Sequence, residues 1–218
     1  MAQNTRSRMV LLLIGGIPVI MILASTWLWY FVVRGDLDLL GILGTANRGT
    51  LVQPPRQIDD LDLREVSGQS IRFADLAPRW AMVIPATGGR CDELCERSLY
   101  VTRQIHVAMG KEYNRLRRLY VSEDSVGSTQ LTVQMLSDGR PAPTVGTFAE
   151  YLANEHSSLQ VMMLPAAGYG ALFPEHGVDG STWYLVDPAG WVMMSYNGEV
   201  SYKDVITDLK FLLKNSGG

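Results

Sequence analysis

The sequence predicts an α/β domain over residues 61–218, preceded by an apolar N-terminal helix. Three observations support this prediction. An apolar run at residues 80–84 leads through a glycine-containing loop into a long stretch with helical periodicity. A second apolar run at residues 118–122 follows, and the order strand, helix, strand indicates a right-handed βαβ crossover. Near the C-terminus, two strands joined by a tight turn precede an amphipathic helix.

The N-terminal segment at residues 9–33 has 25 residues and no charged side chain. Its length suits a single span of a bilayer core about 30 Å thick, and it ends in an aromatic cluster typical of a membrane interface. A cleaved signal peptide is disfavoured, because residues 24–26 form a poor cleavage site and more apolar residues follow. The sequence therefore predicts a transmembrane anchor at 9–33.

Charged residues on either side of this segment predict its orientation. Arg6 and Arg8 precede it, so residues 1–8 are expected in the cytoplasm. The C-terminal domain is then expected in the periplasm, attached to the inner membrane by a single span. Residues 34–60 contain several glycines and the pair Pro54-Pro55, which predicts an extended linker.

The composition excludes one large class of function. The chain is 47% hydrophobic and 19% charged, with a net charge of −3. Proteins that bind nucleic acids usually carry an excess of basic residues. The sequence therefore predicts no nucleic-acid partner.

The only two cysteines of the chain, Cys91 and Cys95, lie between the strand at 80–84 and the helix that follows it. At the start of a helix, free N–H groups and the helix dipole favour the thiolate, which is the reactive and metal-binding form. The pair can close a disulfide or bind one soft metal ion. A purely structural disulfide closing so small a loop would add little stability, so a working dithiol is the favoured interpretation.

The remaining elements follow in order along the domain. A turn at 67–69 separates two short extended pieces, and a capping box at 147–150 starts a helix that ends near His156. A strand at 159–164 is followed by a loop of 16 residues at 165–180, a length often associated with function. A hairpin with a turn at 187–190 and a final helix at 201–214 complete the chain.

The long helix, predicted from about residue 92 to 113, has an apolar side and a basic side. The basic side is most simply a solvated surface, with a docking surface for an acidic partner or for lipid head groups as the alternative. Its members are Arg97, Arg103, Lys111 and Arg115.

This order of elements, with a dithiol at the first helix of the βαβ unit, is the thioredoxin-like layout. The chain resembles the Sco-type branch of the thioredoxin superfamily, the copper chaperones of cytochrome c oxidase assembly. The matching motifs are Cys91-x-x-x-Cys95 and the later Tyr-Leu-Val-Asp-Pro-x-Gly at 184–190. It looks closer still to a group of small membrane-anchored proteins found with oxidase assembly genes in proteobacteria.

The resemblance implies that copper is bound by the two cysteines and one histidine. Cys91 and Cys95 match directly, and His176, eight positions before Tyr184, is the best match for the histidine. Two thiolates and an imidazole suit Cu(I) and can also hold Cu(II).

The other histidines and a methionine pair are not expected at this site. His106 is predicted to be a surface or packing residue, and His156 is expected to lie near a helix C-terminus as a partly charged imidazole. Met193 and Met194 are predicted to belong to the core.

Three functions remain open from the sequence. The leading hypothesis is a metallochaperone that delivers copper to an oxidase copper site, with a cytochrome c oxidase subunit or other assembly factors as its partners. The second is a periplasmic thiol–disulfide oxidoreductase in which Cys91 attacks and Cys95 resolves the mixed disulfide, so that client cysteines stay reduced. The third is a structural assembly factor that uses neither metal nor redox chemistry. Whether the protein is an enzyme is left open by the sequence.

Overall fold

The computed structural model describes residues 2–33, 47–59, 61–144 and 146–215. The chain divides into two compact units, Met1–Ala46 and Asn47–Gly218. In the first unit, helix α1 (Ala2–Val33) contains Pro18. The apolar side chains of α1 for which the structure gives an exposed fraction are exposed. No helix within the described residues combines the length and the apolar character that a membrane span requires. The anchor predicted at 9–33 is therefore not supported, and residues 34–46 of the predicted linker lie outside the described residues.

The second unit is built on one eight-stranded sheet in the order β1-β10-β9-β4-β6-β8-β2-β3. Its central strands β4, β6 and β8 are parallel, and the flanking pairs are antiparallel. A separate parallel pair consists of β5 and β7. The strands are β1 (Thr50–Gln57), β2 (Leu63–Glu65), β3 (Ser70–Ile71), β4 (Trp80–Ala86), β5 (Arg90–Cys91), β6 (Leu116–Ser122), β7 (Gln130–Leu131), β8 (Leu159–Met163), β9 (Trp183–Val186) and β10 (Trp191–Tyr196).

Helices cover both faces of this sheet. Successive side chains of a strand point to opposite faces, and β4 is buried along its whole length because Met82 and Ile84 join one apolar cluster while Ala81 and Val83 join another. The helices of this unit are α2 (Glu93–Ala108), α3 (Phe148–Glu155), α4 (Ala166–Leu172), α5 (Pro174–Val178) and α6 (Tyr202–Asn215). Helices α2, α3 and α6 pack on the first face, and α4 packs on the second.

Several predicted elements are confirmed. Strands β4 and β6 are parallel, with Trp80 opposite Leu116, and α2 connects them. The capping box is present, because Thr147 accepts a hydrogen bond from Glu150 N and the Glu150 carboxylate accepts one from Thr147 N. The hairpin β9–β10 closes through a turn in which the Asp187 carboxylate accepts hydrogen bonds from two backbone N–H groups. These contacts confirm the α/β prediction for this unit.

Three predicted boundaries were wrong. Residues 50–57, expected in the linker, form edge strand β1 beside β10. The loop predicted at 165–180 contains α4 and α5. The long helix ends at Ala108 rather than near residue 113, because Gly110 adopts a positive φ of 55° and a 3₁₀ turn over Gly110–Arg115 follows.

Candidate functional site

The site begins where β4 ends. Gly88 and Gly89 both have positive φ, 73° and 60°, so the chain turns sharply after the strand. Strand β5 then pairs with β7, and the carbonyl of Cys91 accepts a hydrogen bond of 2.9 Å from Thr132 N. Backbone pairing therefore fixes Cys91 before the helix starts.

Cys91 and Cys95 form a disulfide, with their Cα atoms 5.1 Å apart. Asp92 caps the helix, since its carboxylate accepts hydrogen bonds from Leu94 N at 3.1 Å and Cys95 N at 3.2 Å. Cys91 is fully buried, whereas Cys95 is half-buried in the first turn of α2. A partner thiol therefore has better access to the sulfur of Cys95, although the sequence-based hypothesis gave the attacking role to Cys91.

His176 lies on α5 and is half-buried. Its Nδ1 is 2.9 Å from the carbonyl oxygen of Thr182, which can only accept, so Nδ1 carries a proton. Burial lowers the pKa of His176, although the Thr182 carbonyl and the charges of Asp179 and Asp92 act in the opposite direction. In the neutral ring the lone pair is consequently on Nε2, which is the arrangement common in metal-binding histidines.

The segment after His176 packs against the start of α2. The hydroxyl of Ser98 donates to the carbonyl of Ser181 at 3.3 Å. A Cβ atom added to Gly180 would lie 3.6 Å from a methyl group of Leu94, so the Leu94 side chain lies against this segment. Asp92, beside Cys91, acts electrostatically on the His176 ring. The fold thus brings the neighbourhood of His176 to the helix end that carries the cysteines.

The described residues contain no group of three or more His, Cys, Asp or Glu side chains placed to hold a metal ion. In this oxidised form each sulfur is bonded to the other, so neither is a thiolate. The set Cys91, Cys95 and His176 stays a prediction for the reduced form. Its donor atoms, two sulfurs and one imidazole nitrogen, fit copper as cargo.

A network that the sequence did not reveal holds α5 in place. Arg56 on β1 donates to both carboxylate oxygens of Glu175, at 3.0 and 2.8 Å. The Tyr184 hydroxyl donates to Glu175 at 2.9 Å and accepts from His176 N at 3.1 Å. Burial alone would raise the pKa of Glu175, but hydrogen bonds from Arg56, from the backbone N–H of Glu175 and from Tyr184 together outweigh it and lower the pKa. No sequence pattern indicated Arg56, because it lies in the predicted linker.

The other histidines and the methionine pair lie outside this site. His106 is buried and stacked on Tyr113, in agreement with a packing role. The prediction of a partly charged His156 was wrong, because burial and the charge of Arg118 lower its pKa to about 3. Met194 is buried and Met193 is half-buried, and both join the core cluster as predicted.

The predicted basic side of the long helix, which the structure divides between α2 and the 3₁₀ turn that follows it, is only partly solvated. Arg103 donates to the Glu155 carboxylate at 3.2 Å and binds its backbone carbonyl as well. Arg115 is linked to Glu112 and to the carbonyl of Leu213. Half of the predicted basic surface therefore holds neighbouring elements together instead of facing a partner.

The fold and the site define a thioredoxin-like protein with a cysteine pair at the start of its first βαβ helix. A sequence model of the family described as "Transmembrane-like, thioredoxin-like, C-terminal domain" matches residues 80–140 and 134–216. Since these matches span more than half of the chain, the chain belongs to this family. No curated protein sequence matches the chain.

Similar solved structures confirm the fold and the predicted resemblance to Sco-type proteins. Yeast Sco1 with copper bound has a TM-score of 0.52 and 16% sequence identity, covering 80% of this chain and 97% of that one. The apo Sco1 protein from Thermus thermophilus has a TM-score of 0.51 and 16% identity, covering 78% of this chain and 99% of that one.

Proposed function

We propose that this chain is a cytochrome c oxidase assembly factor that carries copper at Cys91, Cys95 and His176 when its disulfide is reduced. The observation that carries the proposal is the orientation of His176. Its Nδ1–H donates to Thr182, which leaves Nε2 as a ligand atom on a segment that packs against the start of α2. The similarity to yeast Sco1, whose structure is described with copper bound, adds support at the level of fold.

Reduction of the Cys91–Cys95 disulfide is the step that makes the site able to bind copper. A partner dithiol supplies two electrons and two protons by thiol–disulfide exchange and is itself oxidised to a disulfide, which converts Cys91–Cys95 into two thiols; loss of their protons supplies two thiolates for Cu(I). Cys95 is the more exposed of the two sulfurs, so we expect it to meet the client first. Copper then leaves by ligand exchange between thiolates of the chain and those of a copper-binding oxidase subunit.

The disulfide also supports a location. Disulfides persist in oxidising compartments, so we propose that the domain works outside the cytoplasm, on the periplasmic side of an inner membrane. Attachment through residues 9–33 stays part of this proposal.

A Cu(I) titration tests the copper site. The reduced full chain is titrated without oxygen against a competing chelator, and we expect one tight equivalent. His176→Ala should weaken this affinity by at least about tenfold, and the double variant Cys91→Ser/Cys95→Ser should abolish it. Met135→Ala is the matched control, since it removes an exposed soft sulfur that is not part of the proposed set. Absence of a tight equivalent in the unmodified chain would overturn the proposal.

The alternative function is a thiol–disulfide oxidoreductase, which the Cys91–Cys95 disulfide itself favours. His176→Ala separates the two functions, because it should reduce copper affinity while leaving dithiol exchange intact. Loss of exchange without loss of copper binding would favour the oxidoreductase. If the double serine variant still supports oxidase assembly in cells, both chemical functions fail and a purely structural assembly factor remains.

A further inference from the structure

Two adjacent arginines of β6, Arg117 and Arg118, are buried, with 8% and 0% of their surface exposed. Alternation along the strand places them on opposite faces of the sheet. In the part of the chain that the structure describes, neither forms an ion pair with a carboxylate. Burial of an uncompensated guanidinium is costly, so each residue requires a physical reason.

Arg118 has an internal structural role. It donates to the carbonyl of Leu99 at 2.7 Å and to the hydroxyl of Thr102 at 3.1 Å. It also lies 3.5 Å from Nδ1 of His156. These contacts tie β6 to α2 and compensate much of the burial of Arg118, although one of its terminal nitrogens, Nη1, has no partner among the described residues.

Arg117 has much weaker compensation. One of its amino groups donates to the carbonyl of Ala77, and its buried Nε has no partner among the described residues. Burial, and then the positive charge of Arg79, lower the pKa of Arg117, and no carboxylate contributes in the opposite direction. Among the described residues, the neighbouring positive charges of Arg79 and Arg117 therefore have no carboxylate counterion.

Arg79 and Arg117 both line an open pocket of about 450 Å³ at the end of the sheet where β4 and β6 begin. Its volume is within the range of small-molecule sites. Asp75 is the one carboxylate among the described residues that line it, and Arg72 binds that carboxylate at 2.8 Å. The pocket thus presents excess positive charge beside apolar and hydrogen-bonding walls, such as Leu76 and Tyr113.

We propose that this arginine pocket, defined by Arg79 and Arg117, binds an oxyanion of the phosphate type. A guanidinium presents a planar fork of N–H donors that matches phosphate oxygens, and an anion would supply a counterion that none of the described residues provides. The phosphate belongs either to a small free phosphate or phosphate ester, or to the head group of a lipid.

The arginine pocket is separate from the cysteine site. Arg79 immediately precedes β4, whereas the cysteines follow the other end of the same strand. Seven residues of strand span about 20 Å. Binding there is therefore testable independently of copper or thiol chemistry.

The test is a calorimetric titration of the full chain, in its disulfide form, with three probes at fixed ionic strength. The probes are inorganic phosphate, glycerol 3-phosphate and a short-chain phosphatidylglycerol below its micellar concentration. We expect saturable binding of at least one probe. Arg79→Ala is the primary variant because Arg79 is exposed and its loss should leave folding intact. Arg117→Met is the second variant, and Arg97→Ala on α2 is the control with the same change in charge.

Loss of one charge-assisted contact should weaken binding by about tenfold or more in Arg79→Ala, with no change in Arg97→Ala. Tighter binding of the phosphatidylglycerol that depends on Arg79 assigns the site to a lipid head group. Equal or tighter binding of the two water-soluble probes assigns it to a free phosphate. Absence of saturable binding for all three probes, or equal binding by Arg79→Ala and Arg97→Ala, overturns the proposal.

Discussion

The Tyr184 hydroxyl accepts a hydrogen bond of 3.1 Å from the backbone N–H of His176 and donates one of 2.9 Å to Glu175. Tyr184 is fully buried in β9, which lies between β10 and β4 inside the sheet, so its ring has little freedom. Arg56 completes the arrangement by binding Glu175 from β1. The short helix α5 is thus held to the rigid sheet, and this fixes the position from which His176 can act.

Replacement of Tyr184 by Phe should loosen α5 without emptying the core. The ring stays, but His176 N–H loses its acceptor and Glu175 loses a donor. We expect a loss of about 1 kcal/mol in the free energy of unfolding, the net value of a typical hydrogen bond. Hydrogen exchange at the His176 amide should accelerate by about fivefold to tenfold. Tyr202→Phe is the matched control, because the Tyr202 side chain is exposed. An unchanged exchange rate at His176 would show that Tyr184 does not position this helix.

Much of the fold was predictable because local patterns and tertiary structure agree. The parallel pair β4–β6 and the capping box at Thr147 both follow from periodicity and from the chemistry of short motifs. The cysteines at the start of α2 were located on the same grounds. Where a short stretch satisfies its own hydrogen bonds or buries a regular apolar face, the local sequence is enough to predict the element that forms.

The missed features depend on distant partners instead. Strand β1 contains Pro54 and Pro55, and it forms only by pairing with β10 and packing Val52 into the core. Helices α4 and α5 are short and rich in glycine or proline, so their stability comes from the sheet rather than from propensity. The ion pair between Arg56 and Glu175 joins residues 119 positions apart, which no local pattern reports.

Asp208 anchors the chain just before β1, and its replacement by Asn should be costly. One carboxylate oxygen accepts hydrogen bonds from Arg48 N at 2.9 Å, Gly49 N at 3.1 Å and the Tyr196 hydroxyl at 3.2 Å. Only 3% of Asp208 is exposed, so water cannot replace these contacts. Asp208→Asn leaves one acceptor oxygen but removes the negative charge that strengthens all three bonds, so we expect it to lower the free energy of unfolding by about 2–4 kcal/mol, measured by urea denaturation.

A second carboxylate on helix α6, that of Asp204, provides the control for Asp208. The side chain of Asp204 is 45% exposed, accepts a hydrogen bond from the Ser201 hydroxyl and pairs with Arg48 at a distance of 3.8 Å. Asp204→Asn removes the same charge but should cost less than about 1 kcal/mol, since exposed ion pairs contribute little. Equal losses in the two variants would contradict a specific anchoring role for Asp208.

His156 should make the protein less stable as pH falls from 7 to 5. Its folded-state pKa is lowered to about 3, whereas the unfolded chain takes up a proton near the ordinary histidine value of about 6.5. Between these values the unfolded state binds more protons, so stability is present above the unfolded pKa and declines as the pH drops below it. One such histidine contributes a loss of about 2 kcal/mol between pH 7 and pH 5.

His156→Gln tests this dependence, because an amide oxygen can still accept from Arg118. The variant should lose about 2 kcal/mol less than the unmodified chain over the same pH range, measured by urea denaturation at each pH. Burial also lowers the pKa values of His106 and His176, so a smaller dependence of the same sign should persist in the variant. Identical pH profiles for the two proteins would mean that His156 is not held neutral by its surroundings.

The two thiols of the reduced protein should differ in reactivity. Cys91 is fully buried and paired through β5, whereas Cys95 is half-buried in the first turn of α2. The free N–H groups and the dipole at the start of α2 favour the thiolate form of Cys95. In single variants with one cysteine each, we expect Cys95 in Cys91→Ser to react with iodoacetamide about tenfold faster than Cys91 in Cys95→Ser. A local opening free energy of about 1.4 kcal/mol for Cys91 is enough to produce this difference.

Denaturation supplies the control for this comparison, since both variants should react at nearly the same rate in concentrated urea. Equal rates in the folded proteins would mean that the burial of Cys91 does not protect its sulfur. Faster reaction at Cys91 would return the attacking role to that residue, as the sequence-based hypothesis had it. Faster reaction at Cys95 instead makes it the sulfur that first meets a partner thiol or a client's copper site, with Cys91 completing the exchange from the interior.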